Sequence, residues 1–279
     1  MGSRKKQNRI AKKVDRYDLY IRSVQSPDHE VEFFDEVYTD EFGGTASILR
    51  EDFCGTFGVC CEWVKEDDDR FAIGVDLDPE PLEWGREHLL SRLSEEQKKR
   101  VKLIQDDVRK ADETKADVLA AQNFSFWIFK TRAELLEYLK AAYANIEDEG
   151  IMIMDMMGGS ESIEEDHEDE REIDENPIVK GSPKEFTYIW EQARYDPITH
   201  DASFYIHFEF EDNSKMKRAF EYHWRFWTIP EVRELLAEAG FRRTDVYWDV
   251  ADDEDDDDYQ KRESAPSQPS WVSYIVAIK

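Results

Sequence analysis

The sequence predicts an α/β protein built on a doubly wound, mostly parallel sheet, with an antiparallel β-meander inserted late in the chain. Three observations carry this reading. From residue 45 to 156, short apolar runs alternate with amphipathic helical stretches, the pattern of a parallel sheet covered on both faces. Between 186 and 227 the period drops to two, and the segments are joined by turn-rich DPITHD and EDNSK. After 228 the chain returns to a helix and two strands.

Taken in order, residues 14–39 place Val14, Tyr17, Tyr20, Ile21, Val24, Val31, Phe33, Phe34 and Val37 at helical spacing, broken at Ser26-Pro27, so two short helices precede the sheet. Strands are expected at 45–50, 71–77, 101–104, 116–121 and 151–156, and helices at 57–65, 79–93 and 132–146. Asp78 followed by Pro79 marks a helix start, because an aspartate side chain caps free N–H groups and proline suits the first helical position. Residues 160–185 are acidic and punctuated by Pro and Gly, so a loop is expected there. In the middle meander strand, Phe204, Ile206, Phe208 and Phe210 should face a core and Tyr205, His207 and Glu209 the opposite side. Thr228 and Glu231 form a capping-box pair, and Gly240 stops the helix they start. The expected organisation is a helical lid at 1–44, a ligand-binding core at 45–159, the acidic loop with the meander at 160–228, and a closing helix with strands at 229–279.

The net charge of -28 is concentrated: residues 161–175 hold ten acids and one base, and residues 249–258 hold eight acids and no base. Such a surface repels phosphate backbones, so nucleic acid is not expected as a partner, despite the basic arm between Arg4 and Arg16. No run approaches the roughly 18 apolar residues of a membrane span. Three clustered cysteines, Cys54, Cys60 and Cys61, make no disulfide framework, and a cytoplasmic setting is expected. The histidines show no metal-ligand spacing, and no metal is expected.

In a doubly wound sheet, ligands bind beyond the carboxyl ends of the strands, where strand order reverses. The first strand-to-helix turn reads Glu51-Asp52-Phe53-Cys54-Gly55-Thr56-Phe57-Gly58, in which Gly55 and Gly58 permit a tight turn. About twenty residues on, the second strand ends at Asp76-Leu77-Asp78, where a carboxylate can accept hydrogen bonds from both hydroxyls of a ribose. Asp107 and Val108 end the third strand, on a spacing suited to an adenine. At these residues the sequence resembles the class I S-adenosylmethionine-dependent methyltransferases: EDFCGT stands at that family's first motif, GVDLDPEPL at its second, QDDV at its third, and RFWTIPEVRELLAEAGF at its C-terminal end.

The resemblance implies a Rossmann-like seven-stranded sheet with an antiparallel last strand, and S-adenosyl-L-methionine as cofactor. It implies that Glu51 and Gly55 contact the methionine end with Thr56 beside them, that Asp76 holds the ribose next to Leu77, that Asp107 and Val108 take the adenine, and that Asn123 faces the reacting centre. Phe53 and Phe57 stand at two of the family's three alternating glycines, which leaves the shape of the turn open. Methyl transfer from a sulfonium needs chiefly alignment, worth about 7 to 11 kcal/mol, so a base is optional; the candidates are His207, Tyr195 and His223 on the meander. The aromatic-rich insertion suits a small organic acceptor. The same residues admit plainer roles: Glu51 or Asp52 as a helix cap, Asp76 as the end of a strand, Asp107 as a loop acid. Two rival functions remain: a nicotinamide-dependent oxidoreductase, which the missing glycines disfavour, and a non-catalytic protein whose acidic segments recruit a basic partner.

Overall fold

A computed structural model of the chain describes residues 9–110, 113–250 and 258–279. In order, the elements are α1 (Arg16–Val24), α2 (Pro27–Phe42), β1 (Ile48–Asp52), α3 (Gly58–Glu66), β2 (Phe71–Asp76), α4 (Pro79–His88), α5 (Glu95–Lys98), β3 (Val101–Gln105), β4 (Ala116–Ala121), α6 (Arg132–Ala144), β5 (Ile146–Gly158), β6 (His167–Asp174), β7 (Glu185–Tyr195), β8 (Asp201–Glu209), β9 (Lys215–Arg225), α7 (Ile229–Ala239), β10 (Arg243–Asp249), β11 (Tyr259–Lys261) and β12 (Trp271–Ile278). They divide into two compact units, one of residues 27–160 and 227–279, the other of residues 1–26 and 161–226. The two expected N-terminal helices therefore part company: α1 belongs with the meander and α2 with the main sheet.

The first unit holds a sheet in the order β11-β10-β12-β5-β4-β1-β2-β3. β1 to β5 are parallel, and β12 runs antiparallel between β5 and β10. The sheet has eight strands rather than seven, because the short β11 pairs antiparallel onto the edge of β10. Central strands are buried on both faces and read accordingly as continuous apolar runs: Val118 to Ala121 and Ile151 to Met154 are all fully covered. Helix starts follow local chemistry. Asp78 accepts from the Glu80 N–H at 2.9 Å with Pro79 behind it, and Thr131–Glu134 and Thr228–Glu231 close reciprocal capping boxes on α6 and α7. Strand order reverses between β1 and β4, which sets the switch point at their carboxyl ends.

The second unit is a four-stranded antiparallel sheet, β6-β7-β8-β9, with α1 laid on its apolar face. Leu19 of α1 is buried among Phe186, Tyr188, Ile206, Phe208 and Phe210, and the Tyr20 ring lies 4.7 Å from that of Phe220. Tyr17 and Tyr20 thus pack α1 onto the meander. Arg22 and Asp18 form a buried 2.7 Å ion pair; Arg22 also donates to the carbonyls of Glu175, Pro183 and Lys184, while Asp18 accepts from the N–H groups of Ile178 and Val179.

The acidic segment expected as a loop instead supplies the edge strand β6, paired with β7 from His167 to Asp174. Its alternation explains this: Ile173 pairs with Phe186, and Arg171 stacks its guanidinium 5.0 Å from the Tyr188 ring, while Glu168, Glu170 and Glu172 point the other way. Charge on an edge strand blocks pairing with further chains, so acidity here is compatible with a strand. The second acidic run, at 249–258, falls largely outside the described residues, as does the start of the basic arm.

Candidate active site

The turn after β1 keeps a left-handed backbone at all three alternating positions: Phe53 at φ 59°, Gly55 at φ 50° and Phe57 at φ 51°. The shape that sequence left open is therefore adopted without glycine at two of the three places. Packing supports the two phenylalanines there, since Phe57 is fully buried and Phe53 lies against Tyr138 with ring centroids 5.4 Å apart. Left-handed backbone outside glycine costs about 1 to 3 kcal/mol per residue and persists where surrounding structure imposes it. A Cβ on Gly55 would meet nothing within 4 Å, so the backbone there is open to close approach.

Helix α4 presses on the same turn. A Cβ on Gly85 would overlap the Thr56 carbonyl oxygen and the Phe57 ring. Gly85→Ala is therefore expected to destabilise by about 1 to 3 kcal/mol through overpacking, although alanine normally favours a helix interior over glycine by about 1 kcal/mol. Thermal unfolding checks this; a variant as stable as the wild type or more so would show that the turn yields freely.

Asp76, at the carboxyl end of β2, holds the turn: its two oxygens accept from the N–H groups of Gly55 at 2.7 Å and Asp78 at 2.9 Å. Burial raises its pKa, against which these hydrogen bonds work. Leu77 beside it is 70% exposed. Glu51 is 3% exposed and accepts from the Cys60 N–H at 3.1 Å, so it caps α3, and burial pushes its pKa up to about 7. Thr56 is buried, and its hydroxyl has no hydrogen-bond partner among the described residues. Asp52 is turned into the core, paired with Arg50 at 2.7 Å and bonded by the Tyr138 hydroxyl at 3.1 Å.

At the third strand's end, both oxygens of Asp107 are taken by the Arg109 guanidinium, with contacts of 2.6 to 3.2 Å, and that bond holds its carboxyl below the usual range. Val108 is buried, and its carbonyl accepts from Arg50. Past β4, Asn123 and Phe124 both have left-handed backbones, and their N–H groups donate to Asp155 of β5 at 2.7 and 2.8 Å.

Three further side chains sit at this end of the sheet without having been marked by sequence. Gln122, one residue past the Ala121–Met154 pair of β4 and β5 and so level with Asp155, is 5% exposed, and neither polar atom of its side-chain amide has a hydrogen-bond partner among the described residues. Asp155 is buried, with a pKa pushed by burial to about 7. Glu30 of α2 is 7% exposed, its Oε2 has no partner, and burial with the charges of Glu51 and Asp155 pushes its pKa to about 8. Asp155 has a sequence signal in hindsight, as the lone acid in the apolar run 151–156; Glu30 has none among the several acids of its helix. Unpartnered buried polar groups are uncommon in folded proteins, and their collection at a switch point fits a polar ligand.

No protein-family model matches the sequence, and no curated protein sequence does. Solved structures do. DesVI from Streptomyces venezuelae superposes with a TM-score of 0.67 at 17% identity, spanning 95% of this chain and 99% of that one. The sugar N-methyltransferase KedS8 from Streptoalloteichus gives 0.64 at 16%, spanning 94% and 92%. CalS10, an amino pentose methyltransferase from Micromonospora echinaspora solved with S-adenosylmethionine, gives 0.63 at 13%, spanning 94% and 97%. The fold is that of the class I S-adenosylmethionine-dependent methyltransferases.

Within this methyltransferase fold, Glu51, Gly55, Thr56, Asp76, Leu77 and Asn123 fall at the carboxyl ends of β1, β2 and β4. The base candidates lie in the other unit. His207 is 7% exposed and doubly engaged: Nδ1 accepts from the Arg218 N–H at 2.9 Å and Nε2 bonds Glu191 at 2.6 Å. It joins three strands at the β8–β9 bulge, and the side of β8 opposite Phe204, Ile206 and Phe208 is buried at this position. His223 is exposed and bonds Ser203 at 3.2 Å, and Tyr195 packs near Phe226. Among the described residues no group of three or more His, Cys, Asp or Glu is arranged to hold a metal ion, and no helix is long and apolar enough to cross a membrane.

Proposed function

We propose that the protein is an S-adenosylmethionine-dependent methyltransferase acting on a small organic molecule. The observation that carries the reading is Asp76: an acid at the carboxyl end of β2, drawn onto the first turn by Gly55 and flanked by the exposed Leu77, beside a switch point where the buried Gln122 amide, Thr56 hydroxyl and Glu30 Oε2 have no hydrogen-bond partner among the described residues. Acids predominate there, which suits a ligand carrying a sulfonium and an ammonium and opposes a pyrophosphate. The names of the solved neighbours, a sugar N-methyltransferase and an amino pentose methyltransferase, support a compact acceptor.

When bound, the cofactor supplies a methyl group activated by the adjoining positive sulfur. On this reading Asp76 holds the ribose hydroxyls, Leu77 and Val108 the adenine, and Glu51, Gly55 and Thr56 the methionine end, with Asn123 turned to the reacting centre. Asp107 reaches the adenine only after Arg109 yields one of its oxygens. Alignment does most of the chemical work, and if the acceptor needs a base, Tyr195 and His223 stand ahead of the doubly bonded His207.

Asp76→Ala is expected to weaken S-adenosylmethionine binding by roughly ten- to a hundred-fold, the loss of charge-assisted bonds worth about 1.5 to 3 kcal/mol. Titration calorimetry with S-adenosylmethionine and with NAD tests both the residue and the class. Binding of NAD in place of S-adenosylmethionine overturns the reading in favour of an oxidoreductase, and affinity for neither supports the interaction protein. Incubation with labelled cofactor and a metabolite extract then identifies the acceptor from its label.

A further inference from the structure

We propose that Glu30 of α2 is a cofactor-binding residue, whose carboxyl, with one unpartnered oxygen buried near Glu51 and Asp155, gives up its proton and becomes an anion when the net-positive methionine end of the ligand arrives. The inference rests on the methyltransferase reading above and adds to it a residue outside every motif that supports it.

Two observations point the same way. Glu30 Oε2 is cut off from solvent with no hydrogen-bond partner among the described residues, and a buried polar atom without a partner is costly unless a ligand completes it. The charges that act most strongly on Glu30 offer it no compensation, and the cations that reach α2, Arg70, Arg242 and Arg243, are paired with Asp35 and Glu41. β1 brings Glu51, β5 brings Asp155, and its own helix brings Asp28; α3 brings Cys60, whose thiol burial keeps neutral. Glu51 in turn faces Asp76 and Asp52, the latter already matched by Arg50. Burial and the charges that act most strongly on Glu30, all negative, push its pKa to about 8, so without a ligand this carboxyl holds its proton at pH 7, while Glu51 and Asp155, pushed to about 7, are about half ionised there. The methionine end of the ligand carries a carboxylate as well as an ammonium and a sulfonium and is net positive; with either cation at short range of Glu30 the balance reverses, because opposite charge favours the ionised acid.

The proton balance is simple. At pH 7 the free protein carries Glu30 as the neutral acid; in the complex it is a carboxylate, and the proton leaves to buffer. Affinity should consequently rise with pH between about 6 and 8, by up to ten-fold per pH unit for each proton released. Cofactor binding measured by calorimetry in buffers of different ionisation enthalpy reads this release directly, with no turnover needed. The wild type is expected to release about one proton or more at pH 7, and Glu30→Gln, which keeps shape and loses the titrating group, about one fewer with affinity reduced at least ten-fold at pH 8. Binding by the wild type without proton release, or unchanged release and affinity in Glu30→Gln, overturns the proposal alone. Failure of the wild type to bind S-adenosylmethionine at any pH overturns the methyltransferase reading and this inference with it.

Discussion

Arg50→Met is expected to cost about 3 to 5 kcal/mol of stability, enough to leave many domains largely unfolded at 37 °C. Arg50 and Asp52 project from the same face of β1 with side chains 1% and 0% exposed, 2.7 Å apart. The guanidinium also donates to the Val108 carbonyl, and Asp52 also accepts from Tyr138 of α6. Burial already raises the Asp52 pKa against the pull of Arg50, so removing the arginine leaves an acid in the core with one phenol for company. The double variant Arg50→Met/Asp52→Leu should recover much of the loss, because a buried pair is dispensable together and damaging when halved. Denaturant unfolding of the three proteins decides it. A single variant that loses less than about 1 kcal/mol would mean that water reaches Asp52.

That pair shows where sequence reading succeeds and where it stops. Asp76 was legible because its signal is local: an acid ending an apolar run, a set distance past a glycine-bearing turn. The helix starts at Asp78 and Thr228 were legible for the same reason, since a cap acts on N–H groups two or three residues away. Glu51 and Asp52, adjacent in sequence, point to opposite faces of β1, one capping α3 and the other filling the core; alternation predicts that they part, and only the packed sheet says which goes where. Asp107 has the expected position, yet Arg109 two residues on has claimed both its oxygens. For β6, composition argued for a loop, and pairing with β7 overrode it through two inward residues, Arg171 and Ile173. Glu30 and Gln122 were out of reach because nothing near them in the chain distinguishes a buried, unbonded side chain from an exposed one.

Those buried acids lead to the last expectation: the ligand-free protein should lose stability as pH rises from 6 to 8.5, opposite to the gain that salt-bridged carboxylates give on leaving acid conditions. Glu30 is pushed up to about 8, and Glu51 and Asp155 to about 7. In the unfolded chain each titrates near 4, so between the two values the folded state binds more protons and stability falls with pH, by about 1.4 kcal/mol per pH unit for each group still protonated in the fold. Above the folded values all three are ionised in both states, and the slope ends. Asp106 and Asp107, whose pKa values are lowered by Lys110 and Arg109, give stability that is complete above their unfolded values and contribute no slope in this window. Melting curves at half-unit pH intervals should therefore show Tm falling by several degrees across the range, since each kcal/mol moves Tm by about 2 to 4 °C in a chain of this size. Glu30→Gln should melt higher than the wild type at pH 8.5 and close to it at pH 6, where Glu30 is already neutral. Saturating S-adenosylmethionine should flatten the wild-type profile by supplying the cations that the three carboxylates lack. A Tm that climbs steadily from pH 6 to 8.5 without ligand would show that these acids are ionised and matched in the folded chain.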